Sequence, residues 1–410
     1  MTQLYSSGIR VLYFLMLLAS AFNTKAKKWI AGQRAGLNGF KIPSDRQVVW
    51  FHCASLGEFD QGLPVMNAYK KQFPDAFLLV TFFSSSGMDF YNKRQHSVDL
   101  ACYLPLDTKS KATDFMQRFH PDHVFFVKYE FWYNHLLAAK KSGAAVYGVS
   151  SLFRPTHRFF KWYGGFFRKA LRLFDHFYVQ DERSRKLLVS IGITQVTLSG
   201  DTRYDRMLAV KAANQQNEII AAFKGEENLL ILGSSWPVDE ALFYPLLDEL
   251  TATYKIIIAP HDVSENHVGG IVSAAGNSVQ RYTTFSDKEA RILILDTIGQ
   301  LTSAYRYADI TYIGGGFTGK LHNILEPGAF GIPVIFGPKH ERFPEAQLFI
   351  DRGVAVSINE QTDLKAVLAG LWEKRAIIQE ELETIFNENR GAAAIAVNGL
   401  SKSPARQLRF

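Results

Sequence analysis

Two successive rounds of short apolar runs, each run followed by an amphipathic stretch, limit what this chain can fold into. In the first round, "QVVWFHCAS" (47–55), "AFLLVTFF" (76–83), "HVFFVKYE" (123–130), "AAVYGVSS" (144–151) and "HFYVQD" (176–181) read as buried strands. Residues 62–73, 134–143 and a segment ended by Gly192 read as helices between them, and Ser84-Ser85-Ser86-Gly87 opens another. The stretch 195–205 closes this half. A polar helix over 206–224 follows, and the rhythm restarts with strands at 229–236, 254–262, 291–297, 309–316 and 332–338 and helices at 298–308 and 323–331. Strands alternating with helices predict a parallel sheet covered on both faces. Two such rounds predict an α/β protein of two Rossmann-like domains, 31–206 and 207–410, with a cleft between them. The length of 410 residues and the 47% hydrophobic content suit two domains. The tail from about 391 reads as an Ala-rich helix and then a loose basic end.

The first 30 residues form a separate segment. "IRVLYFLMLLASAF" (9–22) is apolar and is followed by Lys25, Lys27 and Lys28. Its apolar core falls short of the roughly 20 residues a span needs. An uncleaved monotopic anchor on the cytoplasmic side of a membrane is the favoured reading, because the positive charges follow the apolar run. A signal peptide competes, since Ala19-Ser20-Ala21 has the A-x-A form; an ordinary first helix is the third possibility. Net charge is +7, which suits anionic partners: nucleic acid, a membrane surface or a phosphorylated substrate. Two cysteines, Cys53 and Cys102, exclude a disulfide framework or a cysteine-based zinc site. No metal-binding motif stands out.

Ligands of such sheets bind at the carboxyl ends of strands. In "YIGGGFTGKLHNILEPG" (312–328) a strand ends in glycines and a helix starts near Asn323. Glycines allow close backbone approach, and a helix N-terminus offers free N–H groups to a phosphate. Glu326, one turn inside, is placed to accept ribose hydroxyls; a tight turn with Glu326 as a solvated first-turn residue is the alternative. Gly299 makes a second strand-to-helix turn, and Pro260 and His261 end another strand. In the first half, Glu58 follows a strand and Gly57, so its carboxylate reaches the strand ends. Glu130 ends a strand after an apolar run, with Lys128 on the same side as a cleft neighbour or simple ion-pair partner. Arg203 and Asp205 sit at the junction, on an anionic substrate or in an interdomain salt bridge. The basic, aromatic stretch 153–174 would serve nucleic acid, a phosphorylated lipid acceptor at a membrane, or plain core packing.

Taken together, "DTIGQL … YADITYIGGGFTGKLHNILEPGAFGIPVIFGP" resembles the nucleotide-sugar half of bacterial 3-deoxy-D-manno-octulosonic acid (Kdo) transferases, inverting glycosyltransferases of GT-B architecture. His322, Asn323, Glu326, Ile332, Pro333, Val334, Gly337 and Pro338 match that family's pattern. "WFHCASLGEF" resembles its His-x-x-Ser-x-Gly-Glu stretch, "KYEFWYNHL" its Glu-x-Trp-x-Asn stretch and "SGDTRYD" its junction stretch. The resemblance spans nearly the whole chain. It implies transfer of Kdo from CMP-Kdo to a lipid A precursor, in lipopolysaccharide inner-core synthesis at the cytoplasmic face of the inner membrane. It implies Glu58 as the base, with Ser55, Gly57, Lys128, Glu130 and Arg154 on the acceptor. Pro260, His261, Gly299, Gly315, Gly316, His322, Asn323, Glu326 and Arg203 would hold the donor. It implies no cofactor, no metal, no nucleic acid and domain closure around the substrates.

There are departures. "VSSLFRP" stands where many members have Asn-Ala-Arg-Leu-Ser, so Arg154 takes over an arginine's role in a different register. "PHD" replaces Pro-Arg-His, and Gly299-Gln300 replaces Gly-Glu. Another GT-B nucleotide-sugar enzyme (a UDP-sugar transferase or epimerase) and a non-catalytic binding protein of the same fold are the rival readings.

Overall fold

The structure, a computed structural model, describes residues 2–37, 43, 45–91, 96–213, 215–276 and 278–400. The chain forms two compact units, one of residues 1–206 with 389–410 and the other of residues 207–388. The first holds strands β1 (Val48–Cys53), β2 (Phe77–Phe82), β3 (Leu100–Tyr103), β4 (His123–Val127), β5 (Ala145–Ser151), β6 (His176–Val179) and β7 (Val196–Leu198). The second holds β8 (Asn228–Ser235), β9 (Tyr254–Pro260), β10 (Val279–Arg281), β11 (Ile292–Ile294), β12 (Ile310–Ile313), β13 (Val334–Phe336) and β14 (Ala355–Ser357).

The first sheet runs β3-β2-β1-β4-β5-β6-β7, and the second β10-β11-β9-β8-β12-β13-β14. Every pair is parallel. Parallel strands need crossovers that cover both faces, so their central strands are apolar throughout rather than alternating. β1, β2 and β4 are buried along their whole length. Alternate residues of β1 serve opposite faces: Val48 and Trp50 join one core cluster, Val49, Phe51 and Cys53 the other. Strand order reverses between β1 and β4 in the first unit and between β8 and β12 in the second. These are the switch points where a parallel sheet opens a crevice for ligands.

Several expected boundaries move. The helix expected at 62–73 begins at Leu56 and runs to Gln72. The single polar helix expected over 206–224 is two helices, Thr202–Ala212 and Glu218–Lys224, because Asn217 caps the second through Ile220 N at 3.2 Å. The edge strands β3, β10 and β14 were not expected.

The second domain was expected to run to 410, but the chain returns to the first unit at Asn389. The helix Ala392–Asn398 places Ala393, Ala396 and Val397 in the first unit's core, beside Leu63, Met66 and Tyr178. Asp205 fixes it by accepting from Gly391 N at 2.6 Å and Ala393 N at 2.8 Å. Asp205 therefore caps a helix, where an interdomain salt bridge or a substrate contact had been considered. The loose end expected after this helix lies outside the described residues.

The first 30 residues are likewise part of the first unit. Thr2–Ala19 is one helix and Thr24–Ala35 the next, capped by Asn23, and the two pack together. Tyr5 and Ile9 face inward, and Tyr5 Oη donates to Asp107 at 2.5 Å. Leu4, Val11, Phe14, Leu15, Leu18 and Phe22 are exposed. Among the described residues no helix is long and apolar enough to cross a membrane.

Replacing Asp205 by Ala removes the acceptor for two helix-end amides. We expect a loss of about 1 kcal/mol, and a lower melting temperature in thermal unfolding of the full chain.

Candidate active site

In the first unit the switch point is built by the ends of β1 and β4. β1 gives way to Ser55 in extended conformation and then to the helix Leu56–Gln72. Ser55 and Glu58 have the Ser-x-x-Glu spacing of a helix start, but the Ser55 hydroxyl donates to the Glu58 carboxylate. Glu58 lies in the first helical turn, where the helix dipole favours a negative charge. At Gly57 an added Cβ would approach nothing nearer than Ser55 Oγ at 3.9 Å.

Directly after β4 comes Lys128, held at φ +71°, a left-handed conformation that a side chain adopts only when its surroundings impose it. Lys128 N donates to Val149 O at 2.9 Å, which pins the turn to β5. The Lys128 ammonium sits 5.7 Å from the Tyr129 ring centre, and no ion pair joins it to Glu130. Glu130 is partly buried, and burial together with the charge of Glu58 lifts its carboxyl to about 7. The two carboxylates thus share one electrostatic neighbourhood. Arg154 belongs to it too: Arg154 and Glu58 both act on the Tyr129 hydroxyl, whose pKa is raised, mainly by burial. The Arg154 backbone N–H meets His157 Nδ1 at 3.4 Å, and His157 packs on Tyr129 with ring centres 5.1 Å apart.

A residue outside the expected set supports this loop from below. Trp132 Nε1 donates to His52 Nε2 at 3.0 Å, and His52 Nδ1 lies 2.9 Å from Thr81 Oγ1. Burial drives the His52 imidazole down to about 3, so it stays neutral. With Nε2 accepting, the proton rests on Nδ1 and is donated to Thr81. His52 and Thr81 are directly paired across β1 and β2, so this chain of bonds ties the sheet to the loop after β4.

In the second unit the switch point lies between β8 and β12. Asp239, fully buried, accepts from Trp236 N at 3.0 Å, Tyr312 Oη at 2.6 Å and Gly315 N at 3.0 Å. One carboxylate thereby fastens the loop after β8 to the glycine loop after β12. The glycines had been read as room for a ligand backbone contact. Instead their space is filled by the chain itself: a Cβ on Gly315 would lie 2.2 Å from Lys320 O, and on Gly316 2.4 Å from Gly337 N. Gly315 also has φ +90°.

Above this loop three rings gather. Trp236 stacks on His261 with centres 4.4 Å apart, and His322 lies 4.8 Å from His261. Trp236 Nε1 meets His322 Nε2 at 3.2 Å, and the Lys320 ammonium lies 5.5 Å from the Trp236 ring centre. Burial, with His261 beside it, brings the His322 imidazole down to about 4. Its Nε2 accepts from Trp236, so its Nδ1–H is the donor. Pro260 ends β9, with His261 N bound to Ser235 O at 2.8 Å.

Asn323 and Glu326 are placed together. Asn323 Oδ1 accepts from Leu325 N at 3.1 Å, and its Nδ2 lies 3.3 Å from Glu326 Oε1. Thr302 Oγ1 donates to Glu326 at 3.2 Å. Gly299, at φ +101°, forms an exposed turn before Leu301–Ala304, a helix of a single turn. The Gln300 side chain accepts from Asn217 Nδ2 at 3.0 Å and Tyr282 Oη at 3.1 Å. Arg203 had been placed with the donor residues of the second domain. It belongs to the first unit, and its guanidinium bonds Asp201 at 2.6 Å. Among the described residues no group of three or more His, Cys, Asp or Glu is arranged to hold a metal ion.

Trp236 and Asp239 had no assigned role in the sequence reading. The signal was the run Trp236-Pro237-Val238-Asp239, a proline at a helix start with an acid two positions on.

Residues 31–206 match the sequence family described as 3-deoxy-D-manno-octulosonic-acid transferase (kdotransferase). The chain is 26% identical over 348 residues to the 3-deoxy-D-manno-octulosonic acid transferase of Chlamydophila psittaci, covering 82% of this chain and 80% of that one. It is 26% identical over 305 residues to the transferase of the same name from Rickettsia bellii, covering 72% of each. In fold it resembles the UDP-GlcNAc 2-epimerase of Neisseria meningitidis, with a TM-score of 0.64 at 15% identity, covering 86% of this chain and 99% of that one.

The glycine geometry yields a contrast. Gly316→Ala forces backbone against backbone, so we expect it to destabilise the fold by roughly 2 kcal/mol or more. Gly57→Ala meets open space, so we expect urea unfolding to place it within about 0.5 kcal/mol of wild type.

With residues 31–206 matching that family and relatives of that name aligning over about four fifths of the sequence, the chain is a glycosyltransferase similar to the 3-deoxy-D-manno-octulosonic acid transferases, with two parallel-sheet α/β units of GT-B type.

Proposed function

We propose that this chain transfers Kdo from CMP-Kdo to a phosphorylated lipid A precursor of the lipid IVA type, in lipopolysaccharide synthesis at the cytoplasmic face of the inner membrane. The observation that carries the reading is the pair of carboxylates, Glu58 and Glu130, at the switch point of the first unit. One carboxylate free to take a proton suffices for inversion by single displacement. Glu58 takes the proton of the accepting hydroxyl as that oxygen attacks the anomeric carbon, and CMP leaves with the bonding pair. The hydrogen bond from the Ser55 hydroxyl aims the carboxylate. Glu130, with its carboxyl near 7, donates a hydrogen bond in its protonated form, and Ser55, Gly57, Lys128 and Arg154 complete the acceptor side.

The second unit holds the donor. Asn323 and Glu326 take the ribose hydroxyls. The N–H groups of the 299 turn and the His261–His322 pair serve the phosphate and the sugar acid, and Gly315 and Gly316 act indirectly, by packing the loop that leads to His322. Preorganised donors of this kind stabilise charge developing on the departing phosphate. No metal is required in this scheme. The exposed face of the first helix, with Leu4, Val11, Phe14, Leu15 and Leu18, and exposed Phe22 in the turn after it support attachment along a membrane surface. Exposed Lys25 and Lys27 follow it, and Trp162 and Tyr163 stand exposed in the stretch 153–174. The rest of that stretch packs largely inward, with Phe153, Phe166, Leu171 and Phe174 buried, which favours an interfacial role over nucleic-acid stacking.

The test is Kdo transfer by the full chain onto a detergent-dispersed lipid A precursor, with CMP-Kdo generated in situ and EDTA present. We expect transfer by wild type and a loss of at least about a hundredfold in kcat for Glu58→Gln. CMP should raise the melting temperature and UDP should not; the reverse would point to another nucleotide-sugar enzyme. No transfer and no CMP release would refute the reading.

Glu130 gives a pH signature. Its folded-state pKa is raised, so the native state holds a proton that the unfolded chain has lost. Stability from this group is full below about 4.5 and falls as pH rises towards about 7. Glu130→Gln should flatten that decline, leaving the variant more stable than wild type at pH 8 by on the order of 1–2 kcal/mol in denaturant titrations.

A further inference from the structure

The first helix does more than offer an apolar face. We infer that Tyr5 and Asp107 are positioning residues that couple the docked N-terminal helix to the loop bearing Glu130; this rests on the function proposed above. Asp107 is almost fully buried, with 2% of its surface exposed. One oxygen, Oδ2, accepts from Tyr5 Oη at 2.5 Å and from Asn134 N at 3.1 Å. The other, Oδ1, accepts from His135 N at 2.9 Å and lies 2.6 Å from His135 Nδ1. The Asp107 carbonyl accepts from Asn134 Nδ2 at 2.6 Å. One residue therefore receives the first helix and the start of the helix Tyr133–Lys141, which follows Glu130 by three residues.

A second route runs through aromatic contacts. Tyr13 packs on Trp29 at 6.1 Å between ring centres, Trp29 on Phe83 at 5.6 Å, and Phe83 stacks on Trp132 at 5.0 Å. Trp132 is the residue bonded to His52, two positions after Glu130. The Tyr5 ring also touches Phe166 at 5.4 Å and Tyr133 at 6.1 Å. The segment 128–135 is thus anchored to β5 through Lys128 N at one end. At the other end its anchors are Asp107 and Trp132, and both of these lead back to residues 5–13. A loop held at both ends keeps a carboxylate in place, and a displacement of about 1 Å at such a group costs up to about a hundredfold in rate.

A helix that served attachment alone would not matter once substrate and enzyme share a micelle, so the assay is run with purified full chain and acceptor in detergent. Tyr5→Phe keeps the ring and removes one hydroxyl. We expect kcat to fall about tenfold, with KM for CMP-Kdo within about twofold of wild type. Phe14→Ser, on the exposed face, should keep kcat within about twofold while weakening retention on anionic vesicles. Hydrogen exchange supplies a readout independent of turnover: amides of 129–135 should exchange about tenfold faster in Tyr5→Phe, while those of Glu218–Lys224 in the other unit stay unchanged. Unchanged kcat, or unchanged protection of 129–135, would overturn the coupling. A wild type that transfers no sugar would instead sink the functional reading, and the exchange result alone would then decide the coupling.

Discussion

A parallel sheet covered on both faces has only its strand ends left on which to carry polar chemistry. That constraint organises the whole chain. In each unit the central strands are buried, so a charged group within them would lose its hydration without replacement. Polar groups collect where β1 and β4, and β8 and β12, point their carboxyl ends outward and the strand order reverses. Glu58 and Glu130, close enough for one charge to act on the other, lie at the first of these places, and the Trp236–His261–His322 group at the second. Both units have seven parallel strands and one such switch point, and their sites differ because different residues end the strands.

Loops at strand ends carry backbone N–H groups that need partners once they are packed, and three aspartates provide them. Asp239 takes Trp236 N and Gly315 N; Asp107 takes Asn134 N and His135 N; Asp205 takes Gly391 N and Ala393 N. A carboxylate suits this work because it accepts several bonds at once and charge-assisted bonds are strong. Each aspartate joins segments distant in sequence, so each also fixes a piece of tertiary structure. Lys128, just past β4, and Ser234, near the end of β8, are both left-handed, so the chain turns sharply where these strands finish.

Much of this was legible in the sequence. Continuous apolar runs such as "VVWFHC" read as strands buried on both faces, and Glu58 stood out because it follows one, directly after Gly57. The edge strands β3, β10 and β14 are three or four residues long and partly exposed, so they carry no comparable run. The return of 389–400 to the first unit was not legible. "GAAAIAVNG" has a helix pattern that fits either sheet, and the choice depends on Asp205, nearly two hundred residues earlier. The glycines of 314–316 were located correctly, but a local reading assigned their space to a ligand when the backbones of Lys320 and Gly337 fill it. Arg203 read as a cation available to substrate; its bond to Asp201, two residues away, is visible only once the turn is folded.

The central claim is that each unit's switch point handles one substrate, the donor in the second unit and the proton transfer in the first. Calorimetric titration of CMP into the full chain tests this most directly. The account predicts that Glu326→Ala weakens CMP binding by about tenfold or more, while Glu58→Gln binds CMP as wild type does. Normal CMP affinity in Glu326→Ala, or a comparable loss in Glu58→Gln, would contradict it.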